Sequence, residues 1–323
     1  MGGDISMAAY QLEFGLIGVG KMGGGLAYLA LDKGMNVIGY SRGGVAAELK
    51  RAGMTEIAGA AEFRDHLEPP RVVLLYVPAG PAVDSLLDDL EGALEPGDII
   101  ADGGNSYWGD SFRRHRRLKD KGIDFLDVGT SGGLSGARHG ACFMVGGEGE
   151  PVLQIEPVLH ALATKGGYVH AGPPGAGHFV KLVHNGIEFG MLQAIAEGFD
   201  LLTHFEEPVD IGAVLEAWRH GSVIRSWLVD LIAEAYRADP ELERPSSYVE
   251  DTGEVNWLVR DALRMEVPIP VISQSVMQLF ASRDEKKNWA RAIVMMRHAF
   301  GGHPLGPDDD IARERSEGRA GNA

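Results

Sequence analysis

In the first half of the chain, short apolar runs alternate with longer amphipathic stretches. Residues 14–17, 36–40, 72–77, 98–101, 125–128 and 142–145 read as buried strands. Between them, residues 26–33 (closed by Gly34), 82–94 and 111–121 carry the 3.6-residue period of helices. Strands and helices alternating at this spacing predict an α/β fold, a doubly wound and largely parallel sheet. Near Pro173 the pattern changes. From there residues 175–204, 211–218, 224–236, 255–265, 270–282 and 284–299 read as helices, with no alternating strand pattern between them. The expected organisation is therefore an N-terminal extension over 1–13, a Rossmann-like domain over 14–173, an all-helical domain over 174–303 and a flexible tail over 304–323.

The first strand runs into Gly18-Val19-Gly20-Lys21-Met22-Gly23, with a helical run behind it. In that context the glycines have separate tasks: Gly18 permits the turn, Gly20 admits a pyrophosphate, and Gly23 lets helix pack on strand. The pyrophosphate would lie against the free N–H groups and positive dipole end of the helix. The second strand ends in Ser41-Arg42 and lacks the acidic residue that holds the ribose hydroxyls of NAD. Ser41 and Arg42 can instead receive a 2′-phosphate, so NADP is the expected cofactor and NAD the alternative. Ligands of such sheets lie beyond the carboxyl ends of the strands. Three of those ends carry suitable groups: Val77-Pro78, Asp102-Gly103-Gly104-Asn105-Ser106, and Gly129-Thr130-Ser131-Gly132-Gly133.

The rest of the chain is organised around residues 172–190, a Pro/Gly turn followed by a helix. At about 100° per residue, His178, Lys181, His184, Asn185 and Glu188 share roughly a third of its circumference. Phe179, Val180, Leu182, Val183, Ile187 and Met191 occupy the remainder. A helix so largely apolar is expected to be buried, with an amine and a carboxylate held out of bulk water, a setting suited to acid and base chemistry.

Composition narrows the class. A chain of 323 residues is long for one core, and a net charge of −16 argues against a general nucleic-acid surface while leaving room for a locally cationic site for an anionic substrate. No apolar run reaches the ~20 residues a bilayer demands, and the N-terminus lacks the form of a signal peptide. With Cys142 as the single cysteine, expected to be a buried inert thiol, there is no intrachain disulfide, which fits a cytoplasmic protein. No metal-ligand spacing such as HExxH appears, and no metal is expected.

Taken together, the glycine fingerprint, Ala101-Asp102-Gly103-Gly104-Asn105-Ser106, Gly129-Thr130-Ser131-Gly132-Gly133, the run from Gly177 to Glu188, and Arg297-His298-Ala299-Phe300-Gly301-Gly302-His303 resemble the 6-phosphogluconate dehydrogenase family, in its short-chain branch. That resemblance implies oxidation and decarboxylation of 6-phosphogluconate to ribulose 5-phosphate and CO2. It implies Lys181 as general base and Glu188 as general acid, with burial and neighbours tuning both. It also implies that Asn105, Ser131, Gly132, Gly133, His184 and Asn185 hold the substrate. Arg297 and His303 would reach it from a neighbouring subunit, and Arg283 is a further candidate for the phosphate. A homodimer, or a dimer of dimers, follows. Two departures stand out: Phe189 replaces the usual Tyr, and Glu250-Asp251-Thr252-Gly253-Glu254 lacks the Lys of long-chain members. A β-hydroxyacid dehydrogenase of the 3-hydroxyisobutyrate type is the alternative, sharing the fingerprint, the Ser-Gly-Gly loop and the helix lysine.

Overall fold

The computed structural model of the protein describes residues 12–318. Among them, eight strands form one sheet: β1 (Glu13–Ile17), β2 (Asn36–Tyr40), β3 (Thr55–Glu56), β4 (Val72–Leu75), β5 (Ile99–Asp102), β6 (Asp124–Ser131), β7 (Ala141–Gly146) and β8 (Ala163–Gly172). Their spatial order is β3-β2-β1-β4-β5-β6-β7-β8, parallel throughout except for the antiparallel pair β6 and β7. The order reverses between β1 and β4, which is where a doubly wound sheet opens a crevice for ligands.

The helices of this part are α1 (Lys21–Asp32), α2 (Ala47–Arg51), α3 (Phe63–His66), α4 (Pro81–Glu91), α5 (Trp108–Lys119), α6 (Gly133–His139) and α7 (Gly149–Leu162). They cover both faces because alternate strand residues face opposite ways. Phe14, Leu16, Val37, Leu74 and Ile99 pack with α1 and α7, while Ile17, Ile38, Val73, Leu75 and Ile100 pack with α4. Fully burying each such side chain contributes roughly 1.5–3 kcal/mol, so the two layers rather than any one contact hold the sheet.

Beyond β8 the chain is helical: α8 (Ala176–Thr203), α9 (Ile211–Trp218), α10 (Trp227–Ala238), α11 (Glu254–Arg264), α12 (Pro270–Arg283), α13 (Asn288–Gly301) and α14 (Asp309–Gly318). The chain divides into two compact units. One runs to Leu201 and takes in Thr252–Ile272; the other comprises Leu202–Asp251 and the chain from Ser273. In the second, Arg219 binds Glu216, Asp230 and Glu234, tying α9 to α10.

Several expectations are corrected. Helix α1 starts at Lys21, five residues before the apolar period begins, because tight packing of Gly23 outweighs the poor helix propensity of Gly23-Gly24-Gly25. Strand β6 continues to Ser131, so Ser131 ends a strand instead of lying in a loop. Strand β8, with Lys165, Gly166 and Gly167, is a largely exposed edge without the alternation that would reveal it. Helix α7 carries Pro157 internally and α6 is rich in glycine, which hid both. The C-terminal stretch read as a flexible tail is helical over Asp309–Gly318: the Asp308 carboxylate accepts from the Ile311 N–H at 3.0 Å, and Asp309 and Asp310 sit in the first turn. The remaining tail residues, 319–323, and residues 1–11 of the expected extension lie outside the described residues; Glu13 already belongs to β1. Cys142 is half-buried and free, not sealed in the core.

Candidate active site

The glycine turn after β1 has the shape its sequence predicts. Gly18 has φ +91°, a conformation L side chains rarely adopt, and a Cβ there would lie 2.3 Å from the Tyr76 carbonyl oxygen and 2.9 Å from Val77 Cγ1. A Cβ on Gly23 would stand 2.1 Å from the Gly18 carbonyl oxygen, so only glycine lets α1 approach the turn this closely. At Gly20, by contrast, nothing lies within 4 Å. Gly20 is also the N-cap of α1 and supplies no side-chain cap, which leaves the first-turn N–H groups free for an anion. Met22 is half-buried in that first turn, Ser41 is half-buried just past β2, and Arg42 beside it is exposed.

Helix α8 is seated against the end of the sheet by close backbone contact. A Cβ on Gly177 would lie 2.4 Å from the carbonyl oxygens of both Asp127 and Met144, and one on Gly129 would lie 2.6 Å from Lys181 Cβ. The Pro/Gly turn thus delivers Lys181 onto a floor made by β6. His178 is buried one turn earlier, its Nδ1 2.7 Å from Ser111 Oγ.

Around Lys181 the side chains form a connected set. His184 Nδ1 lies 3.5 Å from Lys181 Nζ, 3.2 Å from Asn185 Oδ1 and 3.8 Å from Glu188 Oε2, while His184 Nε2 lies 3.0 Å from Ser131 Oγ. The shorter Asn185 contact assigns the imidazole proton to Nδ1, which donates to Asn185 Oδ1, and Nε2 then accepts from the Ser131 hydroxyl. Asn185 Nδ2 donates to Asn105 Oδ1 at 3.4 Å, linking helix α8 to the loop after β5. Burial holds the Lys181 ammonium below its ordinary pKa, against the opposing pull of Glu188, Glu254 and Cys142. Burial likewise lowers His184, and the Lys181 charge lowers it further. Both shifts run in the direction that makes proton release from Lys181 and His184 easier, the direction a general base requires.

The loop bearing Asn105 is braced from below. Asp102 accepts from Gly104 N at 3.0 Å and from Ser106 Oγ at 2.7 Å. Arg114, fully buried, donates to Asp84 at 2.9 Å and to the Gly80 carbonyl at 3.0 Å and reaches Asp102 at 3.4 Å, joining two strand-end loops. Asp261 of α11 accepts from Tyr107 at 2.9 Å and Trp108 at 2.6 Å. The arrangement is a dinucleotide-type turn, a partly desolvated amine and a ring of hydrogen-bonding groups.

Residues 13–172 match the NAD binding domain of 6-phosphogluconate dehydrogenase, and residues 177–301 match the 6-phosphogluconate dehydrogenase C-terminal domain. The chain belongs to the 6-phosphogluconate dehydrogenase family. Relatives include YqeC of Bacillus subtilis (strain 168), 41% identical over 293 residues, 90% of this chain and 98% of that protein. The NAD(+)-dependent, decarboxylating 6-phosphogluconate dehydrogenase of Haloferax volcanii is 38% identical, covering 93% of this chain and 100% of its own length. The Plasmodium falciparum 6-phosphogluconate dehydrogenase, solved in its apo form and in complex with NADP+ and with 6-phosphogluconate, matches with TM-score 0.77 and 28% identity over 92% of this chain and 66% of that one. In this decarboxylating oxidoreductase family the fold, the two-part organisation and the nicotinamide-dependent N-terminal part are common ground.

Of the residues singled out from the sequence of this family member, Asn105, Ser131, Lys181, His184, Asn185 and Glu188 come together. Gly132 and Gly133 follow directly, Gly132 as the N-cap of α6 and Gly133 as its first residue. Gly18, Gly20, Met22, Gly23 and Val77 surround the glycine turn. Arg283, Arg297 and His303 belong to the second compact unit. Arg283 is the last residue of α12 rather than a helix start, and it is paired with Asp251 at 2.6 Å. Arg297 is exposed on α13, whereas His303 is half-buried and accepts at its carbonyl from His298 Nδ1 at 2.8 Å. Helix α8 departs from expectation in one respect: Val180, Ile187 and Met191 are exposed on the single chain. The supports Asp127, Arg114 and Asp261, and the bracing role of Asp102, were not picked out from sequence, although a charge inside an apolar strand run, as at Asp127, is a readable signal.

Proposed function

We propose that this protein oxidises and decarboxylates 6-phosphogluconate to ribulose 5-phosphate and CO2 in the cytoplasm, with NADP as its preferred acceptor and NAD as the alternative. The observation that carries this reading is Lys181, whose pKa is lowered by burial and which is surrounded by Ser131, His184, Asn185 and Asn105, with Glu188 two turns further along α8. Gly18, Gly20 and Gly23 fit a dinucleotide, since the space beside Gly20 is open and the α1 N–H groups are uncapped. Met22 and Val77 flank it, and Ser41 and Arg42 stand where a 2′-phosphate would be received. When bound, the nicotinamide supplies a hydride acceptor.

Lys181 takes the proton of the C3 hydroxyl as C3 is oxidised. The resulting β-keto acid loses CO2, and protonated Lys181 stabilises the charge that develops on the ketone oxygen. Glu188 then delivers a proton to C1 of the enediol. His184, hydrogen-bonded to Ser131 and Asn185, is held in one orientation beside Lys181, and burial lowers its pKa. Asn105, Ser131, Gly132, Gly133, His184 and Asn185 orient the carboxylate and hydroxyls. Arg297 and His303 complete the site from the second subunit of a homodimer, Arg297 on the phosphate through bidentate contacts. Arg283 serves the phosphate only if it releases Asp251.

The test is to mix purified protein with 6-phosphogluconate and either NADP or NAD and to record nicotinamide reduction and CO2 together. Equal amounts of both products, faster with NADP, are expected. Reduction without CO2, or reduction only with 3-hydroxyisobutyrate, would move the protein to the β-hydroxyacid branch.

A further inference from the structure

Asp127 is fully buried in β6, and among the described residues no lysine or arginine forms an ion pair with it. Its carboxylate instead accepts two backbone N–H groups at the start of α8: Gly175 N at 2.7 Å on Oδ1 and His178 N at 2.7 Å on Oδ2. The N-terminus of a 28-residue helix is therefore capped from a neighbouring strand, where its free N–H groups and positive dipole end offset the buried charge. The space is closed on the other side as well, since a Cβ on Gly146 would lie 2.5 Å from Asp127 Oδ1.

The same strand face meets the helix at three successive points. Asp127 holds the amides of Gly175 and His178, Gly129 lies under Lys181, and Ser131 bonds His184. Residues two apart on a strand share a face, so one register places all three. We propose that Asp127 is a positioning residue for Lys181: by fixing the first turn of α8 on β6, it sets the height of the amine above the strand. The proposal rests on Lys181 being the base of the reaction above, and it makes no use of any direct contact between Asp127 and the substrate. Displacements of about 1 Å at a reacting group can cost 10²-fold in rate, so a loosened first turn should be visible in turnover.

The experiment compares Asp127→Asn with Asp98→Asn. Asp98 is an equally buried carboxylate that accepts from Arg71 N at 2.8 Å and Glu95 N at 2.9 Å, at the start of β5 and so at the opposite end of the sheet. Both variants should lose thermal stability. Per folded molecule, Asp127→Asn should lower kcat for 6-phosphogluconate at least tenfold with the KM for NADP within twofold of wild type, whereas Asp98→Asn keeps both. Equal kcat in the two variants would reduce Asp127 to a structural support and overturn the proposal. If Asp127→Asn does not fold, hydrogen exchange of the wild-type protein decides: the Gly175 and His178 amides should belong to the slowest class, and rapid exchange would overturn it. Failure of the wild type to oxidise 6-phosphogluconate would refute the functional reading itself, and the same exchange measurement would still test the anchoring.

Discussion

The glycine turn allows folding and cofactor binding to be separated one methyl group at a time. A Cβ at Gly23 would sit 2.1 Å from the Gly18 carbonyl oxygen, so Gly23→Ala forces α1 to retreat by about 1 Å or more to reach ordinary contact. Overpacking of this kind costs about 1–3 kcal/mol, offset by about 1 kcal/mol of helix propensity gained from alanine. The net loss, up to about 2 kcal/mol, corresponds to a Tm drop of up to roughly 8 °C for a unit of this size. Gly24→Ala, one residue along, meets nothing closer than 3.7 Å and should be neutral or stabilising by up to about 1 kcal/mol. Gly20→Ala meets nothing within 4 Å and should leave apo stability within about 1 kcal/mol of wild type. Its methyl group would occupy the space left for the pyrophosphate, so dinucleotide affinity should fall roughly 10- to 100-fold. Apo thermal unfolding and calorimetric titration with NADP and NAD measure both quantities. Wild-type affinity in Gly20→Ala would show that the pyrophosphate does not lie there, and identical melting of Gly23→Ala and Gly24→Ala would refute the close approach of α1 to the turn.

Lys181→Met should lower turnover by roughly 10²–10⁴-fold while substrate binding persists, and unchanged turnover would exclude Lys181 as the base. The same variant carries a pH signature: because burial lowers Lys181 in the folded state, the unfolded chain binds the extra proton between that lowered pKa and the ordinary value, so wild-type stability rises with pH across this window. Lys181→Met should lose that part of the slope and be the more stable protein at neutral pH, as urea unfolding at pH 7 and 10 would reveal. Glu188→Gln should slow the decarboxylating turnover by a comparable general-acid factor, and a wild-type rate would remove Glu188 from the mechanism. Arg42→Asp should shift the NADP/NAD ratio of kcat/KM toward NAD by about 10- to 100-fold, the worth of a charge-assisted contact to a 2′-phosphate, and a fixed ratio would mean that Arg42 is only an exposed loop residue. Ile187→Asp should shift the sedimentation coefficient toward that of a monomer, and an unchanged value would place the subunit contact elsewhere.

Much of the fold was legible because central strands of a parallel sheet are short apolar runs and their crossover helices are periodic. Residues 36–40 and 211–218 appear with the limits the pattern predicts. What escaped notice was governed by tertiary contact. Strand β8 survives beside β7 despite its glycines and exposed lysine, and α1 begins early because Gly23 fits against Gly18. The candidate site was legible where one helix carries it, since Lys181, His184, Asn185 and Glu188 are set by helical spacing alone. The braces beneath it were not. Arg114 and Asp102 are 12 residues apart and Asp261 lies 153 residues from Trp108, so only the folded chain brings them together.

Helix α8 bears on the proposed role of a second subunit. Its pattern predicts burial on nearly every side, yet the chain itself covers only the face bearing Gly177, His178, Leu182, Asn185, Gly186 and Gly190. Val180, Ile187 and Met191 remain 37%, 52% and 40% exposed. At about 100° per residue these three form one stripe, and that stripe lies directly beside Lys181, His184 and Glu188 on the helix circumference. A second subunit covering it would stand at the edge of the polar stripe and withdraw water from it. The pull on Lys181 toward its neutral form, already produced by burial within one chain, would then strengthen on assembly. In that arrangement the apolar stripe and the residues expected from a neighbouring subunit, Arg297 and His303, answer a single requirement: a base that must be dry and an anionic substrate that must be held.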